Sequence, residues 1–117
     1  MAAHRIASLV ALAVGMSASI ALAQAPPDGQ ALYREHCRSC HGANGVPPER
    51  ARAQYEHIAT LSDSAFMASR SDDSVLAVLR HGARRGKDME SFSGKMTEAE
   101  MRAVIAYVRA LVQRRTH

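Results

Sequence analysis

The clearest periodic pattern in the chain lies near its C-terminus. Met101, Val104, Ile105, Val108, Leu111 and Val112 follow the spacing of about 3.6 residues that marks one apolar helical face. Thr97 stands at the start as a cap, with Glu100 three residues on to complete a capping box. Met96 and Met101 are spaced for a hydrophobic staple across that cap. Arg109, Arg114 and Arg115 suit the negative end of the helix dipole. A second helix is predicted in SDDSVLAVLRHG: Ser71 caps, Asp72 and Asp73 occupy the first turn, and Gly82 ends it. Val75, Leu76, Val78 and Leu79 form its buried side, with Arg80 and His81 in the last turn. SDSAFMASR predicts one helical turn starting near Asp63, with Phe66 and Met67 facing in. Asp28 caps a short helix in QALYREHC, whose inner face takes Ala31, Leu32 and His36 or Cys37.

The remaining stretches lack a period. Gly42, Gly45, Pro47 and Pro48 mark turns; Glu49 to Ile58 could form a ragged helix, but its apolar period is poor, and the region reads as loop. Ala83 to Lys95 reads as a loop that is basic at its start. No segment alternates with period two, and the expected fold class is all-α.

The N-terminus does not belong to this domain. Arg5 precedes Ile6 to Ala23, a run with no charged residue that closes on Ala21-Leu22-Ala23. That is the pattern of a secretory leader cut after Ala23. A retained membrane anchor is the weaker reading, because the run is short and rich in Ala, Ser and Gly. Residues 1–23 are therefore expected to be leader and 24–117 the domain, with an ordered core of about 28–112. Removing 23 of the 117 residues leaves 94, with no membrane span, exported to the periplasm or an equivalent space. The whole chain carries a net charge of +4, and losing Arg5 leaves 14 basic side chains against 11 acidic ones. Export argues against nucleic acid as a partner. Aromatics make up 4% and Trp is absent, so a chain this small calls for a staple or a cofactor to complete its core.

The candidate chemistry sits in CRSCH. Cys37 and Cys40 are the only cysteines, and His41 follows directly. A thioredoxin-like dithiol wants its CxxC in a βαβ setting. A structural zinc site wants four ligands, and His57 or His81 would have to supply the fourth from an unusual spacing. C-x-x-C-H is the attachment signature of c-type haem: two thiols add across the porphyrin's vinyl groups, and the next residue is set to bind iron. Export, the absence of other cysteines and the insufficient core favour one covalently attached haem c, with His41 as the proximal ligand. For the sixth position, Met67 reads as core, and Met96 and Met101 as the staple. Met89 lies between Asp88 and Glu90 in a polar loop, with no structural duty that periodicity explains, and is the expected axial thioether. Among the histidines, His36 reads as solvent-facing, His57 lies in the unpatterned region, His81 is a helix-end charge, His4 leaves with the leader and His117 is terminal.

The order helix, CxxCH, loop, helix, GKDMESFSGKMTEAEMRAVIAYVRAL resembles a class I monohaem c-type cytochrome over Asp28 to Val112, with Met89, Phe92, Lys95-Met96-Thr97 and Tyr107 in the family's sequence. Glu90 departs from it, standing where proline commonly follows the ligand and making the ligand loop less rigid. The resemblance implies a small helical domain wrapped around the haem. It also implies a proline carbonyl, from Pro47 or Pro48, on the second ring nitrogen of His41. The first helix should cross the last near Ala31 and Tyr107. The implied function is single-electron carriage between redox partner proteins by a monomer that is not an enzyme. Arg80, Arg84, Arg85 and Lys87 either steer acidic partners or form an ordinary mixed-charge surface. The competing functions are an open sixth site that takes nitric oxide or peroxide, and a haem subunit docked permanently on a dehydrogenase or oxidase.

Overall fold

The computed structural model describes residues 10–19, 25–84 and 88–117. Much of the expected leader, including the cut after Ala23, lies outside these, as do Arg85 and Lys87. Residues 10–19 form no helix, and Val10, Leu12, Val14 and Met16 are exposed. Among the described residues no helix is long and apolar enough to cross a membrane.

Six helices follow in order: α1 Gly29–His36, α2 Arg38–His41, α3 Glu49–Gln54, α4 Ser64–Ala68, α5 Asp72–His81 and α6 Glu98–Arg115. The described residues contain no strand, only an isolated bridge between Ala83 and Met89. The fold is all-α, as the periodicity predicts. Asp28, Asp63, Ser71 and Thr97 cap α1, α4, α5 and α6 through side-chain bonds to backbone amides. The capping box of Thr97 and Glu100 is complete, which satisfies amides that a helix start otherwise leaves open.

The last helix organises the core. Met101, Val104, Ile105, Val108 and Leu111 are buried along one face of α6, and each such side chain contributes about 1.5–3 kcal/mol by leaving water. α1 crosses this face. A Cβ added to Gly29 would stand 2.1 Å from the carbonyl oxygen of Ala103, so the two backbones touch where only a hydrogen fits. One turn on, the rings of Tyr33 and Tyr107 pack tilted, with centroids 5.2 Å apart. The crossing thus rests on Gly29 and Tyr33, while Ala31 is half-buried. Tyr33, absent from the expected inner face, is the most deeply buried large side chain.

α4 and α5 lie on α6 and are tied to it by Arg109. Its guanidinium donates to the Met67 carbonyl at 2.5 Å, the Arg70 carbonyl at 2.6 Å and the Asp72 carboxylate at 3.0 Å. This arginine braces a helix junction rather than merely complementing its own dipole. Arg102 bridges Glu98 and Asp73, and Arg80 also pairs with Glu98. The Arg102 hydrogen bond and the Arg80 charge hold the Glu98 carboxyl below its usual range.

Two expectations about the helices fail. Glu49 to Gln54 is a helix, α3, not loop. Ala51 is its one buried residue, so no apolar period betrays it; Pro48 starts it with φ −66° and ψ 158°, the torsion proline already holds. Val78 is 41% exposed rather than buried, because its side of α5 opens onto a cavity.

Replacing Gly29 with alanine is expected to lower the unfolding free energy by about 1–3 kcal/mol, the usual cost of forcing a methyl into a closed contact. Denaturant titration of the variant checks this; an unchanged midpoint would mean that α1 can slide off α6 without loss.

Candidate functional site

The CxxCH segment is shaped by a break between two helices. Cys37 ends α1 with φ −121° and ψ −33°, its amide still donating to Tyr33 at 2.9 Å. The chain then winds into α2, where the His41 amide donates to the Cys37 carbonyl at 2.9 Å. Two anchors hold this turn from outside. The Tyr33 hydroxyl donates to the Gly42 carbonyl at 2.7 Å, just past the end of α2. Burial pushes the Tyr33 phenol well above its ordinary range, so it remains a donor.

The second anchor is on His41 itself. Its Nδ1 lies 3.0 Å from the Ala59 carbonyl oxygen. A carbonyl only accepts, so Nδ1 carries the proton and Nε2 keeps its lone pair. This corrects the expected proline partner: neither Pro47 nor Pro48 takes this bond. The loop that delivers Ala59 returns to the motif through the Ser62 amide, which donates to Gly45 at 3.3 Å. A carbonyl leaves no mark on the side-chain sequence, so no residue pattern points to Ala59. Burial holds His41 below its ordinary pKa, and the Ala59 bond opposes that only in part. The ring is neutral at neutral pH, as a metal ligand must be.

Cys37, His41 and Met89 meet in the wall of one cavity of about 490 Å³. Leu61, Phe66, Val75, Leu79, Val104, Ile105 and Val108 supply most of the rest, and Ser69, Arg70 and Ser74 its polar part. Cys40 is half-buried on α2 and is not part of this wall. Both thiols are free. Burial, and then the neighbouring Cys40, push the Cys37 thiol up to about 11. A redox dithiol needs the opposite shift, so the disulfide reading loses its chemistry. Zinc fares no better: among the described residues no three His, Cys, Asp or Glu side chains converge to hold an ion. His57 is exposed beside Glu56, and His81 is exposed at the end of α5.

Met89 reaches the cavity because its loop folds back on α5. Gly82 turns the chain with φ 75°, and a Cβ there would stand 2.4 Å from the Met89 carbonyl oxygen. The Ala83 amide donates to that carbonyl at 2.9 Å, and the Phe92 amide to Leu79 at 2.8 Å. Ser91 and Ser93 both donate to the Arg80 carbonyl. Ion pairs Arg84–Asp88 at 3.2 Å and Lys95–Glu90 at 2.7 Å flank the methionine; Glu90, the departure from the family pattern, is thus a member of one of them. Of the other methionines, Met96 and Met101 are core, while Met67 is both core and cavity wall. His36 is not solvent-facing as expected: its side chain is 19% exposed and meets Phe92 edge-on at 5.8 Å.

An apolar cavity of this size, with a neutral imidazole, a thioether and a CxxC thiol in its wall, fits a flat hydrophobic iron macrocycle better than a hydrated ion. A helical domain closed around such a cavity is the architecture of a c-type cytochrome. Residues 24–108 match the family model described as cytochrome c oxidase, cbb3-type, subunit III. The solved KustC0563 c-type cytochrome superposes with a TM-score of 0.64 at 28% identity, covering 72% of this chain and 96% of that one. A tyrosine-to-phenylalanine variant of the same cytochrome gives 0.63 at 27%, covering 72% of this chain and 98% of its own. The chain is also 33% identical over 101 residues to the dihydro-heme d1 dehydrogenase of Pseudomonas aeruginosa, which is 86% of this chain but 18% of that relative. The chain belongs to the cbb3-type subunit III family of c-type cytochrome domains, and with it to the monohaem c-type cytochromes. Membership of this family supports haem c and electron transfer for the domain.

Tyr33→Phe is expected to keep the ring packing and lose the bond to Gly42, a destabilisation of about 0.5–1.5 kcal/mol in denaturant unfolding. A variant as stable as the parent would show that α2 needs no tie to α1.

Proposed function

We propose that this chain is an exported, monomeric single-electron carrier that holds one haem c through thioether bonds at Cys37 and Cys40 and through iron bonds at His41 and Met89. The observation that carries this reading is that Cys37, His41 and Met89, separated by up to 52 residues, line one apolar cavity. When bound, the haem supplies an iron that accepts or gives up one electron. The protein's own residues do the rest. His41 offers Nε2 because Ala59 fixes the proton on Nδ1, and that bond raises the basicity of the ligand. Met89 offers a soft thioether, which favours the ferrous state relative to a second histidine. The apolar wall excludes water and raises the potential further. With His41 and Met89 both held by the chain, little in the protein would need to rearrange when an electron moves. The N-terminal leader pattern supports export to the periplasm.

The likeness to a segment of a dehydrogenase supports a second reading, in which the domain works docked on a larger oxidoreductase. It predicts a stable complex on purification, whereas the carrier is expected to elute alone.

Expression in a host that attaches c-haem is expected to give an oxidised protein with a strong Soret band and the weak long-wavelength sulfur-to-iron band. Met89→Ala should keep the Soret band, lose the sulfur band and lower the reduction potential. A parent spectrum without the sulfur band would take Met89 off the iron and bring ligand binding at an open site forward. The intact mass of the same sample reads whether the chain starts at Gln24 and carries one haem.

A further inference from the structure

The surface around the CxxCH helix differs from the rest in how its arginines are used. Elsewhere the described basic side chains are engaged, except Arg52 on α3, which is exposed and, like Arg34, Arg38 and Arg50, forms no ion pair among the described residues. Arg80, Arg84, Arg102, Arg109 and Lys95 face carboxylates, Arg70 and Arg114 lie over aromatic rings, and Arg115 donates to Ser62. The expected steering group before Met89 is therefore largely neutralised in its described members, Arg80 and Arg84. Arg34, Arg38 and Arg50 are different. Each is exposed, and among the described residues none forms an ion pair.

These three come from α1, α2 and α3, yet they line one shallow basin of about 420 Å³ with Ser39 and Pro48. No carboxylate lines it; Glu35 and Glu49, the nearest in sequence, lie outside. The basin shares α2 with Cys40, since Arg38 and Ser39 immediately precede that cysteine. α3, the helix that sequence pattern missed, brings in Arg50.

We propose that the Arg34–Arg38–Arg50 basin is the docking surface for an acidic patch on the redox partner protein. This rests on the electron-carrier reading, because its value lies in placing the partner beside Cys40 on α2. Planar guanidinium groups pair with carboxylates in a defined orientation. Three unpaired charges around a concavity focus the field and select an acidic face during approach. A contact of this size is small, as suits a partner that must leave quickly after one electron has passed.

The test is stopped-flow oxidation of the ferrous holoprotein by hexacyanoferrate(III). One electron passes from the protein to the anion, giving ferric protein and hexacyanoferrate(II), with no proton moved. Two variants carry the same loss of charge: Arg34→Gln with Arg38→Gln and Arg50→Gln, and Arg80→Gln with Arg102→Gln and Arg114→Gln. At an ionic strength of about 10 mM, where screening is weak, the basin variant is expected to react about tenfold more slowly. Its salt dependence should flatten, and the control variant should change by less than about twofold. An oligoglutamate peptide should slow the parent and leave the basin variant unaffected. Equal losses in both variants would reduce the effect to net charge and overturn the proposal. So would a parent rate that the peptide does not change, which would leave a site for small anions only. The parent's spectrum judges the electron-carrier reading separately: with the sulfur band intact and the basin silent, the carrier stands and the docking surface falls.

Discussion

Tyr33 joins the two parts on which everything else depends. Its ring is sealed into the crossing of α1 and α6 beside Tyr107, and its hydroxyl holds the Gly42 carbonyl at the end of α2. The crossing exists because Gly29 lets two backbones touch. Through Tyr33, that contact fixes where the CxxCH helix stops, and so where His41 stands. A small domain with few aromatics has little surplus packing energy, and here one residue couples the tightest helix contact to the site.

The cavity then sets the chemistry by exclusion of water. The same burial acts on two groups in the same sense. It lowers His41 and raises Cys37, so each favours its uncharged form. For the imidazole this means a free lone pair; for the thiol it means poor reactivity as a thiolate. The environment suits a hydrophobic macrocycle and does not suit dithiol exchange. Val78 fits the same picture. It belongs to the apolar stripe of α5 but faces the cavity instead of another helix, as an apolar residue does when the core is completed by a group outside the amino-acid sequence.

Charge is arranged by the opposite rule. Around the Met89 loop and across α5 and α6, many of the described acids and bases are paired locally, which binds loops and helices together. Exposed pairs of this kind contribute little stability each; their effect is to cancel the charges of their own members, Arg80 and Arg84 among them. Next to α2, by contrast, Arg34, Arg38 and Arg50 line a basin that holds no carboxylate among the described residues.

Much of this was legible in the chain. Helices α1, α4, α5 and α6 follow from caps at Asp28, Asp63, Ser71 and Thr97 and from apolar spacing, because those signals are local. Cys37, Cys40 and His41 are recognisable because attachment chemistry constrains their spacing, and Met89 because an apolar residue in a polar loop lacks any local explanation. Helix α3 was hidden, since a helix with one buried residue has no stripe to read. Tyr33 sat four residues before Cys37 and four after Gly29, a spacing that places all three on one face, but nothing local distinguishes a core tyrosine from a surface one. The amino-acid sequence alone thus determined the helical class, the cofactor signature and the candidate ligands, all of which depend on neighbours in the chain. Only the tertiary structure decided that Ala59 orients His41, that Gly29 and Tyr33 make the crossing, and that Arg80 and Arg84 are paired while Arg34, Arg38 and Arg50 are not. Backbone carbonyls and charge partners are chosen by folding, and residues distant along the chain carry no mark of who their neighbours will be.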